Sequence, residues 1–264
     1  MTKFLSFLTF AVLISSCSPY QKALKSDDVS VKYAQAEIKY DAKKYNKAIR
    51  LFEQLAPAFR GKPQSEKMFY MYAQSYYKTE QYYLAGYQFE SFVSSYPKSE
   101  KIEETAYLVG KCYSMLSPPY SLDQTETIKA IDKLQTFIDT YPNSTYLPDA
   151  NAILKELTGK IEKKYFEIAK QYNTISDHKA ALVALDNFID AYPGTPYKEA
   201  ALYYRLDSAY KLAINSVPAK MEERLKNAKI AYNNLVKFKE GSKYKGKADE
   251  MLARIEKDLQ QFSK

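Results

Sequence analysis

The chain has no tryptophan, one histidine, two cysteines, seven glycines and five arginines in 264 residues. Each shortage closes off a class of chemistry. With only His178 and two thiols there is no Cys/His spacing for zinc and no histidine-based triad. No glycine-rich phosphate loop occurs. The acidic pairs Asp27-Asp28 and Glu222-Glu223 are sequence neighbours, which point about 100° apart on a helix and so cannot face each other. No catalytic pair can be placed, and neither enzymatic activity nor a metal or small-molecule cofactor is expected. His178, in a turn before a helix, reads as a surface residue. The formal charge is +8, yet only Arg50, Arg60, Arg205, Arg224 and Arg254 carry the forked guanidinium suited to phosphates and bases. The other 34 basic residues are lysines. This fits a solvated Lys/Glu surface, or attraction to anionic headgroups or an acidic partner, rather than nucleic acid. No mature stretch alternates long enough for a sheet. What abounds is tyrosine, with 26 copies.

Long apolar runs are missing as well. The longest, Phe4–Ile14 after Lys3, has eleven residues. A bilayer core of ~30 Å needs about 20, so this run reads as a secretory signal. It ends in Ile14-Ser15-Ser16-Cys17, which resembles the lipobox of bacterial lipoproteins at every position. The resemblance implies cleavage before Cys17, a diacylglyceryl group on its sulfur and an acyl chain such as palmitate on its new amine. Two or more chains anchor firmly, because each buried CH₂ contributes about 0.8 kcal/mol. Ser18, where an inner-membrane lipoprotein would carry Asp, points to the outer membrane, and the missing acidic cluster points to its periplasmic side. Residues 1–16 are then the signal, 17–28 a lipidated polar tether, and Cys112 the one thiol left, expected as a small buried apolar residue.

Three octets share one form: "FVSSYPKS" from Phe92, "FIDTYPNS" from Phe137 and "FIDAYPGT" from Phe188. Reading back from each proline, Phe92, Phe137 and Phe188 stand five residues before. Phe89, Leu134 and Leu185 stand eight before, and Ala85, Ala130 and Ala181 twelve before. Steps of three and four make one apolar helical stripe, closed by a proline that cannot continue the helix. Upstream of each lies a second amphipathic helix centred on Ala73, Gly110 or Ala169. This resembles the tetratricopeptide repeat. A degraded earlier copy contains Ala36, Ala48 and Phe52; a later one contains Tyr210, Ala228, Tyr232 and Leu235, with Asp207 where a small residue is expected. "MLSPPYSLDQTE" lengthens one inter-helix loop, and a long lead-in helix is expected from about Pro148 to Ile175. The expected fold is all-α, a right-handed solenoid of about five helix pairs with a capping helix near Tyr244–Phe262. Residues 29–143 form the N-terminal repeats and 144–264 the C-terminal repeats and cap.

In such a solenoid the first helix of each pair lines the concave face at positions 5, 9 and 12, with the small residue counted as position 8. That places Tyr33, Glu37 and Tyr40 on the groove from copy one, and Tyr70, Gln74, Tyr77 and the adjacent Lys78 from copy two. Copy three adds Tyr107 and Lys111, and copy four Phe166 and Lys170. Rings interleaved with Gln and Lys suit an extended peptide ending in an aromatic residue and a carboxylate. The same rings would equally serve packing between helices.

Lipobox, short tether, five helix pairs and the repeated endings together resemble the BamD family, lipoproteins of the outer-membrane β-barrel assembly machinery. The resemblance covers nearly all of the mature chain. It implies a non-catalytic scaffold whose N-terminal repeats recognise the C-terminal segment of unfolded barrel proteins and whose C-terminal repeats dock the central barrel component. Asp207 and the insertion at Pro118-Pro119 depart from the simple repeat. An adaptor lipoprotein of a Tol or peptidoglycan system would use the same repeats. A nutrient-capturing lipoprotein would be expected to use the tryptophan platforms this chain lacks.

Overall fold

A computed structural model describes residues 18–60, 62 and 65–262. The lipobox and Cys17 lie outside these. Among the described residues the order is α1 (Pro19–Lys25), α2 (Val29–Asp41), α3 (Tyr45–Phe59), α4 (Glu66–Lys78), α5 (Tyr82–Ser95), α6 (Ile102–Met115) and α7 (Thr125–Thr140). Then follow α8 (Leu147–Thr174), α9 (His178–Ala191), α10 (Lys198–Ile214), α11 (Pro218–Phe238), α12 (Lys245–Leu259) and a 3₁₀ turn, Gln260–Phe262. The described residues contain no strand. Helices α2 to α11 form the five expected pairs and α12 follows as the cap.

The chain divides into two compact units. One runs through Ser117 and includes Thr125–Leu154; the other comprises Pro118–Gln124 and Lys155–Lys264. The division falls inside α8. In the first unit each of α2 to α7 packs on the next; in the second, α9 to α12 do the same. The inserted loop belongs to the second unit and is internally tied. Gln124 Nε2 donates to the carbonyls of Pro119 (2.8 Å) and Leu122 (3.0 Å), and Lys163 Nζ sits 4.2 Å from the Tyr120 ring centre.

The octets work as the periodicity requires. Phe89, Leu134, Leu185, Ala85, Ala130 and Ala181 are fully buried, and Phe92, Phe137 and Phe188 almost so. Each large side chain contributes about 1.5–3 kcal/mol by leaving water. The helices stop before the tyrosine, and the closing residue starts the next helix. Ser99, Ser144 and Thr195 are buried, and their side-chain oxygens accept from the backbone N–H of Lys101, Tyr146 and Tyr197. Leu235–Ser242 builds the same turn without Tyr or Pro. Lys239 N donates to Leu235 O at 3.0 Å, and Tyr244 N to Ser242 Oγ at 3.1 Å. Within pairs one, two and four the helices turn through Lys43, Glu80 and Ser176, each at positive φ. There Lys44, Gln81 and Asp177 N–H reach back to Lys39, Tyr76 and Tyr172 carbonyls, closing the helix end.

Two expectations need correction. The polar tether contains a helix: α1 is capped by Ser18 Oγ, buries Tyr20 and Ala23, and packs on α2 and α3. Lys39 and Lys47 ammoniums lie 5.8 and 5.3 Å from the Tyr20 ring centre. Apolar residues every third position suffice for one such turn when a neighbour offers a face. Asp28, expected as merely solvated, caps α2 by accepting from Ser30 N at 2.8 Å.

Asp207 is explained by register. Tyr107 stacks on Tyr146 (4.8 Å, 12°), Phe166 on Tyr197 (5.1 Å, 13°) and Tyr203 on Tyr244 (4.2 Å, 8°). The second ring always lies two residues past the octet's closing Ser or Thr. Tyr203, not Tyr204, therefore occupies position 5, and the fifth copy is shifted by one. Leu206 fills the small-residue site and Asp207 takes position 9, equivalent to Gln74, Lys111 and Lys170. There Asn173 Nδ2 donates to Asp207 at 2.7 Å and Lys211 Nζ at 2.8 Å, so the buried carboxylate is satisfied.

Candidate functional site

The first helices of the N-terminal pairs carry a repeated polar station. In each, positions 5 and 9 of one helix meet a charged residue in the first turn of the next first helix. Glu37 accepts from Lys67 Nζ at 2.7 Å, beside Tyr33, whose ring stacks on Phe59 at 5.5 Å. Tyr70 Oη donates to Glu104 Oε1 at 2.8 Å, and Gln74 Nε2 donates to Tyr70 Oη at 3.1 Å. Tyr107 Oη donates to Asp149, while Lys111 Nζ reaches Tyr107 Oη at 2.7 Å and Asp149 Oδ2 at 3.0 Å. The first unit thus links its pairs one to two, two to three, and three to the start of α8.

Electrostatics keep these phenols as neutral donors. Burial, then the bond to Glu104, pushes Tyr70 well above the ordinary tyrosine range. Burial and the bond to Asp149 push Tyr107 up to about 12. Burial works to lower Lys111, but its bonds to Tyr107 and Asp149 win and raise it; Asp149 is held low by Tyr107, then Lys111. A carboxylate ligand would have to displace Asp149 to reach Lys111.

The predicted ladder therefore separates by role. Gln74 and Tyr107 are buried, and Tyr70 and Tyr107 spend their hydroxyls joining helices. Tyr33, Tyr40 and Tyr77 are half-buried, with Tyr40 edge-on to Tyr45 at 5.6 Å and Tyr77 edge-on to Tyr82 at 5.9 Å. Lys78 lies elsewhere than the ladder's interior. Its ammonium is 5.8 Å from the Tyr77 ring centre, and it lines a cup of about 520 Å³ with Lys43, Lys44, Lys47, Tyr45 and Thr79. In the second unit Phe166 is buried, and Lys170 pairs with Glu167 at 3.1 Å.

A family model described as "YfiO: Outer membrane lipoprotein" matches residues 25–225. The chain belongs to this family. It is similar to the outer membrane protein assembly factor BamD of Pasteurella multocida (strain Pm70), 26% identical over 186 residues, 67% of this chain and 72% of that one. The factor of the same name from Neisseria gonorrhoeae is 25% identical over 227 residues, 80% of this chain and 85% of that one. The putative BamD of Aquifex aeolicus (strain VF5) is 26% identical over an alignment of 275 residues, 95% of this chain and 88% of that one.

Among the described residues of this YfiO-family chain, no helix is long and apolar enough to cross a membrane. Cys112 is buried and its thiol is pushed up to about 12 by desolvation. His178, expected at the surface, opens α9 half-buried, with Nδ1 lacking a hydrogen-bond partner. Sequence reading missed Glu104 and Asp149, the acceptors of the stations. The available signal was an acid in the first turn of α6 and of α8.

Proposed function

We propose that this chain is a lipid-anchored, non-catalytic scaffold of outer-membrane protein assembly, held at the periplasmic side of the outer membrane by acyl chains on Cys17. Its N-terminal repeats hold C-terminal segments of nascent outer-membrane proteins. Its C-terminal repeats dock the barrel component of the assembly complex. Anchoring makes capture a matter of effective concentration, with no bond made or broken. The observation that supports the reading is the row of half-buried rings of Tyr33, Tyr40 and Tyr77, held on α2 and α4 by helices that the polar stations lock together.

Because Asp149 already engages Lys111, the cation for a peptide's terminal carboxylate is supplied by the cup of Lys43, Lys44, Lys47 and Lys78. Tyr40, Tyr45 and Tyr77 stand beside it as apolar partners for a terminal aromatic ring. The test is fluorescence anisotropy with a labelled ten-residue barrel peptide ending in phenylalanine. Tyr77→Ala and Lys78→Gln should each weaken binding by about three- to tenfold. Amidating the peptide's C-terminus should cost a similar factor and leave no further effect of Lys78→Gln. Equal affinity for the acid and the amide would remove the cup from the reading, and an unaffected Tyr77→Ala would remove the groove.

A further inference from the structure

Besides the groove, the first helix of each pair has a second face, at positions 4, 7 and 11, against which the preceding pair stacks. In copy two Tyr72 and Tyr76 lie there, buried; in copy three Val109 and Tyr113, buried; in copy five Leu202 and Ala209, buried. The covering helices are α3, α5 and α9, and they share a pattern. Each has an alanine, a large apolar residue four later and a carboxylate immediately after: Ala48/Phe52/Glu53, Ala85/Phe89/Glu90, Ala181/Leu185/Asp186. The carboxylate accepts a bond from the covered face. Glu53 accepts from Tyr76 Oη at 2.9 Å, Glu90 from Tyr113 Oη at 3.0 Å, and Asp186 from Arg205.

Two copies differ. Copy one is polar at these positions, with Lys32, Gln35 and Lys39 half-buried and the Lys39 ammonium lying over the Tyr20 ring of α1. Copy four, inside the second unit, is apolar there and yet open. Tyr165, Ile168 and Tyr172 are 47%, 45% and 38% exposed, with Ile175 and Val183 further exposed beside them. Its own pair is otherwise complete, since Tyr165 stacks on Tyr192 at 6.0 Å, where in copy two Phe69 lies tilted against Tyr96 at 6.4 Å. Between α8 and α9 lies a cleft of about 430 Å³, lined by Tyr172, Lys179, Ala180, Val183, Ala184 and Asn187.

From this we infer that the open face of copy four is a docking site for an amphipathic helix of another protein, bearing a small residue, a large apolar residue four later and an adjacent carboxylate. The chain itself specifies that chemistry three times. Tyr172, at position 11, offers the hydroxyl that Tyr76 and Tyr113 offer in the covered copies, and Lys179 supplies a positive rim for the acid. The inference is independent of the peptide groove on α2, α4 and α6.

The test uses the full acylated chain in detergent micelles and, as probe, a fluorescent peptide of residues 45–56 held helical by a staple on its polar face. Saturable binding is expected. Ile168→Glu and, separately, Val183→Glu should each weaken it by about tenfold, at exposed sites where thermal unfolding stays unchanged. Tyr172→Phe should weaken it by about threefold with the native peptide and not at all with a peptide carrying Gln in place of Glu53. Absence of saturable binding overturns the inference. So does binding that survives both Glu variants, which would mean exchange with α3 itself. Sedimentation of the wild type as a dimer and of Ile168→Glu as a monomer would assign the face to a second copy and overturn it equally.

Discussion

Replacing Gly110 by Ala should destabilise the first unit, although Ala is the better helix former. Gly110 sits mid-helix in α6, where the change would ordinarily gain about 1 kcal/mol. A methyl there, however, would stand 2.7 Å from Leu134 Cδ2, 2.8 Å from Cγ and 3.2 Å from the backbone N. Ordinary carbon contacts are about 3.5–4.0 Å, so α7 would have to retreat by about 1 Å or Leu134 leave its rotamer. Leu134 is fully buried and has nowhere to turn. Overpacking of this kind costs about 1–3 kcal/mol, and contact with backbone places it at the upper end. The expected net loss is about 2 kcal/mol once the propensity gain is subtracted. Gly86→Ala is the control. Its methyl would meet Tyr113 and Cys112 at 3.3–3.4 Å, so the two effects nearly cancel. Cys112, on α6 itself, provides an assay specific to this unit. Its buried thiol, near 12, resists alkylation at pH 8 until the unit opens. Pulsed alkylation across a urea series should give a midpoint lower by about 1 M for Gly110→Ala, taking m as about 2 kcal/mol/M. A midpoint raised to match the propensity gain would refute the claim that α6 and α7 touch at this glycine.

The remaining predictions concern the second unit. Glu199 accepts from Lys239 Nζ at 2.7 Å, Ser242 Oγ at 2.8 Å and Lys243 N at 3.0 Å, which hold it down at about 2, below its ordinary 4.5. A depressed carboxyl stabilises the fold above its unfolded value and loses that contribution as pH falls. Glu199→Gln should therefore lower the melting temperature at pH 6 and converge with the wild type near pH 2; a gap independent of pH would exclude the mechanism. Asn173→Asp would set a second carboxylate beside buried Asp207 in place of a donor. It should cost about 2–4 kcal/mol at pH 7 and recover much of that at pH 5, where one of the two can protonate and donate. Equal melting shifts at both pH values would argue against a direct contact.

The helix pairs were readable in the sequence because burial is periodic along one helix. Phe92, Phe89 and Ala85 announce their face whatever they pack against, and so do their counterparts in the later copies. The fifth copy was harder. Its octet kept the packing residue, Leu235, and the turn serine, Ser242, but lost Tyr and Pro, the two residues that make the motif visible. The turn survives because its hydrogen bonds run through backbone and one hydroxyl. The short helix α1 was hidden for another reason. Seven residues are too few for a periodic signal, and its formation depends on a face offered by α2 and α3.

What the sequence could not tell was which partner each exposed-looking polar residue has. Spacing places Tyr107 and Lys111 on one face, but Asp149, 42 and 38 residues away, decides what they do. With that acid in place Lys111 is an internal tie, and a basic site for ligand must be sought among lysines with no such neighbour. The same logic governs Tyr165, Ile168 and Tyr172. They occupy the positions of buried residues in copies two, three and five, and only their exposure reveals that the matching helix is not supplied within the second unit. Local periodicity thus encodes that a face will be covered. The covering element is encoded elsewhere, in this chain for three of the four apolar faces, and for the fourth in a helix that brings its own carboxylate.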